Sequence, residues 1–122
     1  MGSAIPKFDG AGDFVGSSYV YATARDFAAF GELYRHDGVT SDGDRLLPPG
    51  WVAHAGTPVS HDDENGCDYG RHWWIWPQFP GSLAAHGHEG QYLVVVPDRE
   101  LVVVHLGKTD ASAAPLLRAR LR

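Results

Sequence analysis

The residues whose types and spacing could do chemistry lie in Ala84-Ala85-His86-Gly87-His88-Glu89-Gly90-Gln91, where histidines, a carboxylate and glycines stand beside two apolar runs. A β-hairpin built only for packing would fill Tyr92 to Val96 and Leu101 to Leu106 in the same way, but it would not require His-Glu-Gly-Gln leading into its first strand. Glycine lets a strand backbone come close to a ligand, at a cost in local stability. Zinc binding is one chemistry open to this stretch. His86 and His88 alternate on an expected strand and so share a face, and His54, His61 or His72 could add a third ligand. That spacing is permissive rather than diagnostic in a chain with seven histidines, and no acidic partner lies at a telling distance, so no metal and no cofactor are expected. Taken alone, His88 could equally be a partly buried histidine satisfied by a backbone carbonyl.

Nucleophile motifs can be tested residue by residue. A Ser-x-x-Lys pair would need serine at position 4 or 105, three before Lys7 or Lys108, and these positions hold Ala4 and His105. No serine has flanking glycines at the spacing of a nucleophile elbow. The only asparagine, Asn65, has Asp63 two residues before it, which excludes Tyr-x-Asn and Ser-x-Asn. Gly107-Lys108-Thr109 lacks the earlier glycine of a phosphate loop, since position 102 is Val102, and it continues to Asp110 rather than to glycine. It reads as an ordinary strand end.

The elements that must position these residues follow from periodicity. Residues 1–16 carry glycines and a proline without a repeat and read as an extended lead-in. Thr23-Ala24-Arg25-Asp26 has the form of a capping box, and Phe27, Phe30, Leu33 and Tyr34 follow at helical spacing until Gly38. Asp42-Gly43 marks a tight turn. Pro48 and Pro49 then open a short helical segment with Trp51, Val52 and Ala55 as its apolar members. His61 to Asp68 reads as a polar loop containing an incidental Cys67, and Tyr69 to Trp76 as an aromatic strand closed by Pro77. Leu83 to His88, Gln91 to Val96 and Leu101 to Gly107 are the remaining strands, the last two joined through Pro97-Asp98-Arg99-Glu100. Ala113, Leu116, Leu117 and Leu121 form one apolar stripe of a C-terminal helix. Leu93 and Val95 point one way while Tyr92, Val94 and Val96 point the other, so both sheet faces need cover. The C-terminal helix can protect one of them. The expected fold is α+β: an antiparallel sheet of three or four strands with flanking helices, one of whose faces falls short of cover.

Composition sets the outer limits. A chain of 122 residues is at most one domain, which if self-contained buries about 65% of its unfolded surface. Its 43% hydrophobic content and four tryptophans exclude disorder, and no apolar run is long enough to span a membrane. With a net charge of -5 and only two lysines it has no footprint for nucleic acid or an anionic membrane. The single Cys67 rules out an internal disulfide, and no leader of secretory type follows Met1, so a cytoplasmic location is the expectation for the chain as it stands.

An ordered set of short segments runs through nearly the whole chain. It comprises Ser17-Ser18-Tyr19-Val20-Tyr21-Ala22-Thr23-Ala24-Arg25-Asp26-Phe27-Ala28-Ala29-Phe30-Gly31, Arg45-Leu46-Leu47-Pro48 with Trp51-Val52, Tyr69-Gly70 with Trp73-Trp74, Gly87-His88-Glu89-Gly90-Gln91, and Val94-Val95-Val96-Pro97 with Leu101-Val102-Val103-Val104. This set resembles the C-terminal part of class C β-lactamase-like serine hydrolases, a family of β-lactamases, penicillin-binding peptidases, esterases and 6-aminohexanoate-oligomer hydrolases. The resemblance implies a partial β-lactamase/transpeptidase-like fold acting on a small amide or ester. In that family a Ser-x-x-Lys nucleophile and a Tyr base come first, and a Lys-Thr-Gly or His-x-Gly box on a sheet-edge strand comes last.

By this resemblance His88-Glu89-Gly90 is the third box. The backbone N–H of Gln91 would donate to the oxyanion of acyl transfer, Gly90 would let substrate lie against the strand, and His88 would stand where the family often has lysine. Glu89 and Trp74 would face substrate, although Trp73 and Trp74 both suit the core. The first two boxes have no counterpart, so the chain is expected to be an N-terminally truncated member, catalytically incomplete alone, that self-associates or docks to a missing N-terminal part. The alternative from another class is a non-catalytic assembly module in which Trp51, Trp73, Trp74 and Trp76 form one docking patch.

Overall fold

A computed structural model describes residues 1–16 and 18–109, so Ser17 and the expected C-terminal stripe of Ala113, Leu116, Leu117 and Leu121 lie outside the described residues. Two short strands, β1 (Ile5–Pro6) and β2 (Val20–Tyr21), pair antiparallel and precede helix α1 (Ala24–Arg35) and the single-turn helix α2 (Trp51–Ala55). Six strands follow: β3 (Ser60–Asp62), β4 (Cys67–Tyr69), β5 (Trp74–Ile75), β6 (Leu83–Gly87), β7 (Gln91–Val96) and β8 (Leu101–His105). They form one antiparallel meander in chain order. The α+β class holds, but the sheet has six strands rather than three or four. Among the described residues no helix is long and apolar enough to cross a membrane.

Helix α1 begins where its cap requires. Thr23 Oγ1 accepts from the Asp26 N–H at 3.2 Å, satisfying one orphan donor of the first turn. The reciprocal half of the expected box is diverted, because the Asp26 carboxylate accepts from the Ser3 N–H (2.6 Å) and Ser3 Oγ (2.5 Å), while the Thr23 N–H donates to Ser3 Oγ. The lead-in is thus tied to the helix start, and Ile5–Pro6 within it pairs with β2. At the other end the Gly38 N–H reaches back to the Leu33 carbonyl at 2.7 Å, closing the helix.

The core has two halves, one on each face of β7. Leu93 and Val95 pack with Leu83, Trp73 and Ala55, and Phe30 and Tyr34 of α1 close over them. Phe30 stacks on Trp73, and Tyr34 meets the same ring edge-on at 4.6 Å. Gly31 is what lets the helix sit so close: a Cβ there would come within 2.6 Å of Val102 Cγ1 and 3.0 Å of Leu93 Cδ1. Tyr92, Val94 and Val96 pack on the opposite face with Ala84, Cys67, Trp76 and Phe79. Cover for that face comes from the β5–β6 connection, in which Trp76 and Phe79 fold inward and the buried Ser82 Oγ accepts from the Trp76 N–H at 3.2 Å. Both faces of β7 are therefore buried, with Val94 and Val95 at 0% exposure, whereas Val102, Val103 and Val104 of β8 are only half-buried.

Two further expectations are revised. The stretch from His61 to Asp68 is the β3–β4 hairpin, with His61 opposite Asp68 and Asp62 opposite Cys67. Its polar side chains are partners of one another rather than a sign of loop, and Cys67 points into the core at 2% exposure. Tyr69 to Trp76 is not one strand either. The backbone turns at Gly70–Trp73, where the Gly70 N–H donates to the Trp73 carbonyl (2.8 Å) and His72 takes a left-handed φ of 66°. That turn splits the aromatic run into β4 and β5.

Candidate functional site

The candidate site is the closed end of the β6–β7 hairpin. Strand β6 runs up from the core through buried Leu83 and Ala84 to exposed Gly87. Its only register pair with β5 is Trp74 to Ala84, whereas it pairs with β7 along its whole length from Leu83 to Gly87. His88, Glu89 and Gly90 then form a 3-10 turn, with His88 and Glu89 exposed, before Gln91 opens β7 half-buried. The resemblance set the box on the strand itself; the structure sets it in the turn that caps the strand. His86 and His88 consequently do not alternate along one strand, and among the described residues no group of three His, Cys, Asp or Glu is placed to hold a metal.

The turn is held from the side by the end of β8. Glu89 has φ 57° and ψ 35°, a left-handed conformation uncommon outside glycine. Its carbonyl accepts the Thr109 N–H at 2.8 Å, and its carboxylate pairs with Lys108 Nζ at 2.7 Å. The Gly90 carbonyl lies 3.1 Å from His105 Nδ1, which must carry the proton, since a carbonyl only accepts. Gly90 has φ 79°, and a Cβ on it would meet Thr109 Cβ at 2.9 Å, so glycine is required there twice over. Sequence reasoning missed Lys108 and Thr109 as neighbours of the box. Lys108 lies nineteen positions beyond Glu89, and only the β7–β8 register, with Tyr92 opposite His105, brings them together.

Trp74 and His86 form a second group beside the turn. Trp74 stacks on the His86 ring at 5.2 Å with an 11° interplanar angle and meets Tyr69 edge-on. Trp76 Nε1 donates to His86 Nε2 at 3.1 Å, so Nε2 offers its lone pair inward. Trp74 also borders an open hollow of about 690 Å³ lined by Ser60, His61, Asp62, Asp63, Glu64 and Tyr69. Of the residues expected to touch substrate, Glu89 therefore belongs to the turn and Trp74 to this aromatic group. In the hollow, His61 Nδ1 donates to Asp68 Oδ1 at 2.7 Å, and that bond, with Asp63 and Asp62 nearby, raises the imidazole pKa above its ordinary 6.5. Hydrogen bonds from the Asn65 side chain and from the backbone of Asn65 and Glu64 lower the Asp62 carboxyl.

The four tryptophans do not make a docking patch. Trp73 and Trp76 are buried at 4% and 1% in different halves of the core, Trp74 is half-buried, and only Trp51 is exposed. The aromatic patch of the assembly-module reading is thereby removed.

The antiparallel sheet with α1 across one face and the glycine turn at the top of β6 defines the chain as an α+β protein matching part of a β-lactamase-like fold. Among solved structures it is similar to "Putative 6-aminohexanoate-dimer hydrolase from Bacillus anthracis", with a TM-score of 0.77 and 25% sequence identity. The match covers 97% of this chain and 32% of that one, so the chain spans about a third of the length of its structural neighbour. No family model and no curated protein matches it.

Proposed function

We propose that these residues supply the oxyanion-side strand and turn of a β-lactamase-type serine hydrolase site that acts on an amide or ester. The observation that carries this reading is the likeness in fold, over nearly the whole chain, to a protein whose name gives it as a hydrolase. In acyl transfer, negative charge develops on the former carbonyl oxygen, and a fixed backbone donor stabilises it more than it stabilises the substrate. The Gln91 N–H at the start of β7 would be that donor. Gly90 would admit the acyl group against the backbone, and exposed His88 would hydrogen-bond the leaving group or a substrate carboxylate. The serine nucleophile and its base would come from a segment other than these residues, because no Ser-x-x-Lys is present in the 122 residues.

Two measurements test this. The chain by itself is expected to give no burst of nitrophenol from a nitrophenyl ester; a burst lost on changing one particular serine would overturn the reading. In a chimera where the chain replaces the matching third of the Bacillus anthracis protein, Gln91→Pro, which deletes the donor, is expected to lower kcat by about 100-fold. A folded, active chimera indifferent to that change would also sink the proposal.

A further inference from the structure

We propose that the Gly107-Lys108-Thr109 segment beyond β8 is a buckle that fixes the His88–Gln91 turn, with Lys108 and Thr109 as positioning residues. The catalytic meaning of the buckle rests on the hydrolase reading above; its structural content does not.

Four contacts converge on two residues. The Thr109 N–H donates to the Glu89 carbonyl, Lys108 Nζ pairs with the Glu89 carboxylate, His105 Nδ1 donates to the Gly90 carbonyl, and Thr109 Cβ fills the space a Gly90 side chain would need. Gly107 takes part by being small, since a Cβ there would lie 3.0 Å from His105 Nε2 and push the ring from its place. Left-handed Glu89 is a conformation that persists only where surrounding contacts hold it. Those contacts come from the far side of the hairpin rather than from the turn itself. The ion pair has an electrostatic effect as well. A carboxylate next to an oxyanion donor would oppose the charge that the donor has to stabilise, and Lys108 at 2.7 Å offsets it.

The backbone bond is the stronger part of the buckle. Lys108 is 79% exposed, so its pairing is screened and adds less. The test uses amide NMR of the intact chain. Thr109→Pro removes the N–H and is expected to shift the Gly90 and Gln91 amide resonances while leaving those of Val94 and Val95 in place. Lys108→Met is expected to speed exchange of the Thr109 amide by about two- to fivefold, and Lys108→Arg to restore it. Unmoved Gly90 and Gln91 resonances in a folded Thr109→Pro variant would overturn the buckle. If that variant loses its core resonances, the two Lys108 variants decide: equal exchange in Lys108→Met and the parent chain overturns the proposal. A buckled turn in a chimera indifferent to Gln91→Pro would keep the buckle and remove the hydrolase reading, and a loose turn in a chimera dependent on Gln91 would do the reverse.

Discussion

Two hairpins of one sheet are built on opposite principles. The β6–β7–β8 meander is apolar on both faces of its central strand and is held by burial, with Leu93, Val94 and Val95 at 5%, 0% and 0% exposure. The β3–β4 hairpin buries Cys67 alone among its strand residues and is held by polar pairs at the surface, His61 with Asp68 and Asp62 with Asn65. Burial removes apolar area from water whatever the pH, whereas the polar pairs depend on protonation and are screened by salt. The two ends of the sheet should therefore fail under different stresses, and the candidate turn sits at the top of the buried end.

The largest expected effect tests the apolar end. Trp76 is 1% exposed and touches Phe79 and Tyr92, so Trp76→Ala should destabilise the whole domain by about 3–5 kcal/mol in denaturant unfolding. A loss under about 1 kcal/mol would mean that this half of the core collapses around the gap and is not what holds β7. The next effect probes the polar contact embedded in that apolar end. His86→Leu keeps bulk but leaves the Trp76 indole N–H without its acceptor, an expected loss of about 1–3 kcal/mol, while His86→Gln should recover part of it. Equal stability of both variants would show that the Trp76 indole bond to His86 adds nothing measurable.

The contrast between the two hairpins also explains what could be read in the sequence. Strands β7 and β8 were legible as a hairpin because the unbroken apolar run from Tyr92 to Val96 is joined by four turn residues to a second apolar run. Helix α1 was legible from its cap and the spacing of Phe27, Phe30 and Tyr34. The β3–β4 hairpin was not, because His, Asp and Asn resemble loop until their partners across the strand are known, and a cross-strand pair such as His61 and Asp68 has no local signature. The same limit hid part of the candidate site. His88, Glu89 and Gly90 stood out as polar residues beside an apolar run, but Lys108 and Thr109 gain meaning only from the register that sets them against Glu89 and Gly90.

The smallest expected effect is the pH response of the polar hairpin. Bonding to Asp68 raises the His61 pKa above 6.5, so the folded hairpin favours the protonated ring. A group with a raised folded pKa contributes its stabilisation fully below the unfolded value and loses it as pH rises through the folded one. The hairpin should accordingly be tightest below pH 6.5 and loosen as pH rises through the higher folded value. An NMR titration of the His61 ring should show a midpoint above 6.5 that falls back toward that value in Asp68→Asn and, through screening, at high salt. A midpoint at or below 6.5 in the parent chain would mean that the 2.7 Å contact does not persist in solution, leaving the hairpin to its backbone pairing and the Asp62–Asn65 bond.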